Sequence, residues 1–223
     1  MLSNSKFFNQ LSLDYDEMIN FENALKHKTS SLESFIVHNY KHALDLGCGT
    51  GADAIALSKL GLKVDAIDHS EGMLGQAMEN SKRFNTKINF ILSGLTDFTF
   101  DNKYFDIIVS LGNTMANLNS IDLKKSIKNL DGYLNKGGKI IIQIINYARL
   151  PASGFYILNK FENDSVSITR KYNIKAKSID FIIDRIDKKN NNEGQIITEL
   201  YPHSADDFKE LAEEIGFSIE LYG

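Results

Sequence analysis

One stretch constrains the fold more than any other: His42-Ala43-Leu44-Asp45-Leu46-Gly47-Cys48-Gly49-Thr50-Gly51. An apolar run with a single acidic residue ends in three spaced glycines, and a helical pattern, Ala52 to Leu60, follows at once. This is the signature of a strand, a tight turn and a helix start. Glycine suits such a turn because the backbone must bend sharply and let a ligand approach with no Cβ in the way. The N–H groups that open the following helix favour a negatively charged group. Asp45 is the exception in the pattern, a carboxylate near the end of a strand that its neighbours should bury.

Two ligand classes use a turn of this kind. Gly47-Cys48-Gly49-Thr50-Gly51-Ala52 fits the G-x-G-x-x-G/A spacing of dinucleotide binders. A second strand, Val64-Asp65-Ala66-Ile67, ends at Asp68, about 20 residues beyond the glycines, where a carboxylate can accept hydrogen bonds from both ribose hydroxyls. Both classes share that feature. The acidic residue two positions ahead of the first glycine, and Leu134-Asn135-Lys136-Gly137-Gly138 running into Lys139-Ile140-Ile141-Ile142-Gln143-Ile144-Ile145, separate them. Together these resemble motif I and the strand-five entry of the class I S-adenosylmethionine-dependent methyltransferases. An NAD(P)-dependent oxidoreductase and a non-catalytic S-adenosylmethionine-binding protein stand as the alternatives.

The chain has 223 residues, enough for one α/β domain with an additional subdomain. Its net charge of −4 and the lack of a long basic run argue against nucleic acid as a partner, and so against an RNA methyltransferase. Cys48 is the single cysteine, which excludes internal disulfides and Cys-rich zinc sites; no metal is expected. Met1 to Met18 has no long apolar core of the signal-peptide kind, and no stretch reaches the ~20 apolar residues of a membrane span. The expectation is a cytoplasmic protein that acts on a small-molecule acceptor away from membranes, with homo-oligomerisation left open.

The predicted fold is a Rossmann-like α/β domain. It has a mostly parallel, doubly wound sheet, N-terminal helices and an antiparallel β insertion after strand five. Residues 1–40 form a helical lid, 41–147 the cofactor-binding core, 148–203 the inserted acceptor cap and 204–223 the final helix and strand of the core. Phe7, Phe8, Leu11, Tyr15, Met18 and Ile19 give the first helix an apolar face, and a second helix is expected over Phe21 to His38. Ser70 caps a helix that runs through about Arg83, Ile88 to Leu92 is strand three, and Tyr104 to Val109 is strand four. A helix from about Ile121 to Leu134 then stops at Asn135-Lys136-Gly137-Gly138, ahead of strand five. Three antiparallel strands are predicted over Ser165–Ile174, Ser178–Ile186 and Gln195–Tyr201, with a loop through Pro151 and Gly154 before them and the polar turn Asp187 to Gly194 inside the hairpin. Ser204 caps a last helix, and Phe217 to Tyr222 is read as a final strand. Class I methyltransferases follow that strand with another. Its absence here implies a sheet edge left short or completed by another chain, with the 178–201 hairpin covering the cleft.

The resemblance also implies site residues. For the cofactor these are Tyr15, Asp45, Gly47, Cys48, Gly49, Asp68, His69, Met73, Gly94, Leu95 and Leu111; for the reaction, Asn113, Tyr15 and Tyr147. Leu13-Asp14-Tyr15-Asp16 matches a Tyr-Asp lid element found ahead of motif I in many small-molecule methyltransferases. The family's loop after strand three carries an acidic residue, where this chain has Gly94. Leu111-Gly112-Asn113-Thr114 with Asn146-Tyr147 most resembles the glycine and sarcosine N-methyltransferase group, in which the residue matching Asn113 touches the substrate amino acid. The position of that group's carboxylate-binding arginine holds Ile145, and that of a histidine holds Asn117, which argues against glycine itself as substrate. The implied reaction is in-line methyl transfer, with an amine nitrogen as the implied acceptor atom.

Overall fold

A computed structural model of the chain describes residues 1–222, so that Gly223 lies outside the described residues. The chain divides into two compact units. One comprises Phe8–Met115 and Asp122–Ile144; the other comprises Met1–Phe7, Ala116–Ile121 and the chain from Ile145 onward.

The first unit is built on five parallel strands, β1 (His42–Leu46), β2 (Lys63–Asp68), β3 (Ile88–Leu92), β4 (Phe105–Ser110) and β5 (Leu134–Ile142), in the order β3-β2-β1-β4-β5. This is the predicted Rossmann-like sheet. The order reverses between β1 and β4, so the crevice beyond their carboxyl ends is the natural ligand position. Ala43, Leu44, Leu46, Ala66, Ile67, Ile107, Ile108 and Val109 are all completely buried, as the near-continuous apolar runs require. Helices α2 (Phe21–Glu33), α3 (Ala52–Lys59), α4 (Glu71–Arg83) and α5 (Ser120–Asp131) follow α1 (Asn4–Ile19) in the chain. Phe21, Leu25 and Leu32 of α2 join the core that holds Ala54 to Leu57 of α3.

Helix α5 ends at Asp131 instead of Leu134, and three further boundaries in this unit differ from the sequence expectation. Helix α2 stops at Glu33 instead of His38. Thr29, Ser30 and Ser34 donate their hydroxyls back to the carbonyls of Leu25, Lys26 and Ser31, local bonds that compete with helix continuation. Strand β5 starts at Leu134, ahead of the glycine pair, because Phe105 pairs with Leu134 and Ile107 with Lys139 across a bulge. Asp106 anchors that bulge, accepting from Asn135 Nδ2 at 2.8 Å and from the backbone N–H groups of Lys41 and His42 at 2.7 and 2.9 Å. β5 also ends at Ile142, since Gln143 turns to bind the loop after β4.

The second unit is an antiparallel meander, β6 (Gly154–Glu162), β7 (Val166–Ile174), β8 (Ile179–Asp187) and β9 (Asn192–Leu200), in the order β6-β7-β8-β9. The hairpin of β8 and β9 therefore belongs to this separate sheet. β6 replaces the loop expected through Gly154. Most of its residues are exposed on both faces, so its sequence lacks the alternation that marks a half-buried strand. Tyr172, Ile174, Ile179 and Leu200 form its core with Ala116, and Phe7 packs on Phe181 at 5.4 Å between ring centroids. α6 (Ala205–Glu214) starts at the predicted capping box, Ser204 with Asp207, and lies in this unit. Phe217 to Tyr222, read as a strand from its alternation, has no regular secondary structure. Among the described residues no helix is long and apolar enough to cross a membrane.

A Cβ on Gly138 would come within 2.9 Å of the carbonyl oxygens of Asn135 and Asp106 and of Leu134 Cγ. Gly138→Ala should therefore destabilise the protein by about 1–3 kcal/mol in urea titrations, and an unchanged midpoint would show that the bulge yields freely.

Candidate active site

The three glycines of the turn have separate duties. Gly47, Gly49 and Gly51 all take positive φ, at 80°, 53° and 90°. A Cβ on Gly47 would lie 2.2 Å from Thr114 Cγ2, and one on Gly51 would lie 3.1 Å from Ala77 Cβ. Those two glycines let the loop after β4 and helix α4 pack against the turn. Gly49 differs, for a Cβ there would meet nothing within 4 Å. It is the glycine that faces open space. Most of the turn's own N–H groups are engaged: Gly47 and Cys48 both donate to the Ile67 carbonyl, Gly51 donates to Cys48, and Gly49 donates to Asp68 Oδ2 at 2.8 Å.

Carboxylates concentrate beneath this turn. Asp45, Asp53 and Asp68 are all buried, Asp45 to 1% exposure. The Ala54 N–H supports Asp45, but its Oδ2 has no hydrogen-bond partner among the described residues. Burial first, then Asp53 and Asp68, hold the Asp45 carboxyl well above the usual carboxylate range, with Lys28 pulling it back. Lys28 of α2 meets Asp53 at 2.6 Å. Asp68 is also raised by burial, against hydrogen bonds from the Ser70 and Gly49 N–H groups and the nearby His69. Burial and these same carboxylates push the Cys48 thiol up, so it is a small filler in the turn and no nucleophile.

Helix α1 is tied to the start of α4. Asn9 Oδ1 accepts from Ser70 Oγ at 2.6 Å and from the Gly72 N–H at 2.9 Å, while Ser70 Oγ in turn caps the Met73 N–H. Asp16 Oδ2 accepts from Gln76 and Asn80, and Asn80 also donates to the Thr50 carbonyl. The Leu13–Asp16 stretch is thus split: Leu13 is 87% exposed, Asp16 docks on α4, and Tyr15 is half-buried between them. His69 sits between Asp68, at 3.5 Å, and the edge of Phe8, at 6.2 Å. Met73 is a core side chain, 1% exposed.

The loops after β3 and β4 complete the crevice. Leu95 is buried, and its carbonyl accepts from Ser126 Oγ. Gly94 has no side chain to act as acceptor, but the Asp97 carboxylate lies 3.3 Å from where its Cβ would be. That acidic group sits three positions past the family's site and is held low by its hydrogen bond to Lys125. Beyond half-buried Leu111, Gly112 and Asn113 both take φ of 68°. Gln143 fixes them, its side-chain oxygen accepting from the Gly112 N–H and its backbone carbonyl from the Asn113 N–H. Tyr147 lies in the other unit, in a short 3-10 turn capped by Asn146, packed on the cluster that contains Tyr172. Asn9, Asn80 and Gln143 were not anticipated, because single polar residues carry no local signal of partners distant in the chain.

With this geometry in place, residues 43–138 match the family model described as "Methyltransferase domain". That match makes this segment similar to a methyltransferase domain. It is similar to part of the ribosomal protein L11 methyltransferase of Campylobacter concisus, at 38% identity over 121 residues covering 54% of this chain and 36% of that protein. The glycine N-methyltransferase of Oryctolagus cuniculus is 27% identical over 146 residues, 58% of this chain and 49% of that one. The chain thus spans about half or less of the length of these curated relatives. A solved S-adenosylmethionine-dependent methyltransferase from Clostridium acetobutylicum shares the fold, with a TM-score of 0.75 at 20% identity over 93% of this chain and 87% of that one.

S-adenosylmethionine is the cofactor named for that solved structure. The residues present fit it. Gly49 leaves space at the turn, the buried Asp45 Oδ2 has no hydrogen-bond partner among the described residues, and Asp68 stands at the end of β2 with acceptor capacity for hydroxyls.

Because the folded chain raises the Asp45 carboxyl above its ordinary value of 3.8, the folded form holds a proton that the unfolded form has released. Stability therefore falls as pH climbs above that value. Asp45→Asn should remove this fall and raise the melting temperature at neutral pH. It should also weaken S-adenosylmethionine binding by about 1–3 kcal/mol. Thermal melts from about pH 3 to 8 test this, and an Asn variant that melts below the parent at neutral pH would refute it.

Proposed function

We propose that the protein is an S-adenosylmethionine-dependent methyltransferase that methylates a small-molecule acceptor at an amine nitrogen. The observation that carries the reading is the sign of the charge at the glycine turn. A dinucleotide would set its pyrophosphate against that turn, whose N–H groups at Gly47, Cys48, Gly49 and Gly51 are engaged internally above three buried carboxylates. A sulfonium and an ammonium group are favoured there, and an anion is opposed.

When bound, S-adenosylmethionine supplies the methyl group from a positively charged sulfur. The chain's own work is alignment in a site whose electrostatics do not oppose dispersal of that charge. Gly49 admits the donor, Asp45 faces its cationic end, and Asp68 and His69 define the ribose side. Leu95 and Asp97 flank the base, with Asp97 as a charged acceptor in place of the one missing at Gly94. Asn113, whose backbone N–H is bonded to the Gln143 carbonyl in a left-handed conformation, is the candidate to orient a neutral amine acceptor. The left-handed geometry there suits asparagine better than most residues. Tyr15 and Tyr147 are the secondary candidates for acceptor contact. The resemblance to glycine N-methyltransferase supports nitrogen as the acceptor atom, while Ile145 in place of a clamping arginine points to an amine without a free carboxylate beside it.

Methyl transfer from labelled donor to a panel of primary and secondary amines, amino acids, phenols and a ribosomal protein extract tests the reading. Product is expected on uncharged-flank amines. Asn113→Ala should lower kcat about 10- to 100-fold with the donor Kd nearly unchanged. Methylation confined to phenols or protein would contradict the acceptor class, and a large loss of donor affinity in the variant would move Asn113 to the cofactor.

A further inference from the structure

The antiparallel sheet treats its two edges differently. Along β9 the chain supplies its own cover: the Leu2 N–H donates to the Ile197 carbonyl at 2.8 Å, and Thr198 Oγ1 bonds to the side chain of Asn4. Along β6 no strand pairs on the outer side among the described residues. Natural edges are usually blunted by a charge, a proline or a covering segment. Here the run Leu150-Pro151-Ala152-Ser153-Gly154-Phe155-Tyr156-Ile157-Leu158-Asn159 carries no charge, and Pro151 lies before the strand begins. Three successive large side chains on it are open to solvent: Phe155 at 72%, Tyr156 at 40% and Ile157 at 64%.

The register within the sheet says what could cover them. Phe155 pairs with Asn173 and Ile157 with Lys171 on one face, while Tyr156 pairs with Tyr172 on the other. A shift between Ile157 and Asn159 then breaks the regular ladder. The usable edge is therefore the short segment Gly154–Leu158, and its midpoint is Tyr156.

We propose that this edge is a self-association strand, on which a second copy of the chain pairs antiparallel about a dyad at Tyr156. In that register Phe155 of each copy stands across from Ile157 of the other on one face, and the two Tyr156 rings meet on the opposite face. These are aromatic–β-branched and aromatic–aromatic cross-strand pairs, the combinations that stabilise antiparallel ladders. Every exposed apolar side chain of the edge gains an apolar neighbour, and the uncharged run sets no like charges against each other. The bulge beyond Ile157 limits the pairing and so prevents indefinite edge-to-edge growth. A second copy fits better than an unrelated extended peptide, because the complementarity is already complete within one sequence. The proposal does not rest on the methyl-transfer reading.

Sedimentation velocity and site-directed crosslinking of the full chain test it together. The parent should sediment at twice 25.1 kDa at micromolar concentration. Ile157→Lys, at a position open enough to keep the far-UV spectrum native, should sediment as a monomer. Tyr156→Cys should form a disulfide-linked dimer on mild oxidation, since directly opposed residues lie about 4.5–5.5 Å apart between Cα atoms, within disulfide reach. Phe155→Cys alone should crosslink poorly, and mixed with Ile157→Cys it should crosslink well. The native Cys48 is buried, and the parent chain serves as its control. A monomeric parent, a dimeric Ile157→Lys variant, or a Phe155→Cys chain that crosslinks to itself better than Tyr156→Cys does would each overturn the proposal.

Discussion

A buried carboxylate with an unmatched oxygen is the feature on which the rest of this structure turns. Asp45 lies in the middle of a parallel sheet, at a strand position where an apolar residue would be far easier to bury. Its support is thin: one N–H from Ala54 and the influence of Lys28, which is itself committed to Asp53. Asp53 and Asp68 add to the same negative field. Burying such a group without a full set of partners costs the fold stability. At the glycine turn above, Gly49 leaves open space where a side chain would stand.

The surrounding elements hold that arrangement still. Gly47 seats the turn on Thr114, and Gly51 seats it on Ala77 of α4. Asp68 joins the ends of β1 and β2 by accepting from Gly49 on one side and Ser70 on the other. Helix α1 then fastens to α4 through Asn9 and Asp16, two polar contacts that also supply the acceptors an α-helix start and a buried amide need. Across the crevice, Gln143 performs the corresponding service for Gly112 and Asn113.

Features fixed by short-range chemistry were legible in the sequence. Ser70 as a cap, the Ser204–Asp207 capping box, the Ile88–Leu92 strand and the glycine turn all depend on residues within a few positions of one another. What failed depended on distant partners. Phe217 to Tyr222 alternates like a strand, yet no described strand pairs with it, and alternation alone cannot supply a neighbour. β6 was missed for the opposite reason: an outer strand with little burial on either face shows no alternation, although it is firmly paired to β7. The Asn135–Gly138 bulge reads in the sequence as a helix stop because its anchor, Asp106, lies on β4. At the candidate site, Asp68 could be proposed from its spacing and Asp45 from the resemblance. Asn9, Asn80 and Gln143 could not, and neither could the return of an acidic group beside Gly94 through Asp97.

The central claim is that the carboxylate-lined turn selects a cationic nucleoside over an anionic dinucleotide. Isothermal titration of the 223-residue chain with S-adenosylmethionine and, in parallel, with NAD measures that selection directly. The account predicts saturable binding of S-adenosylmethionine and no heat of binding with NAD. Binding of NAD without binding of S-adenosylmethionine would contradict it.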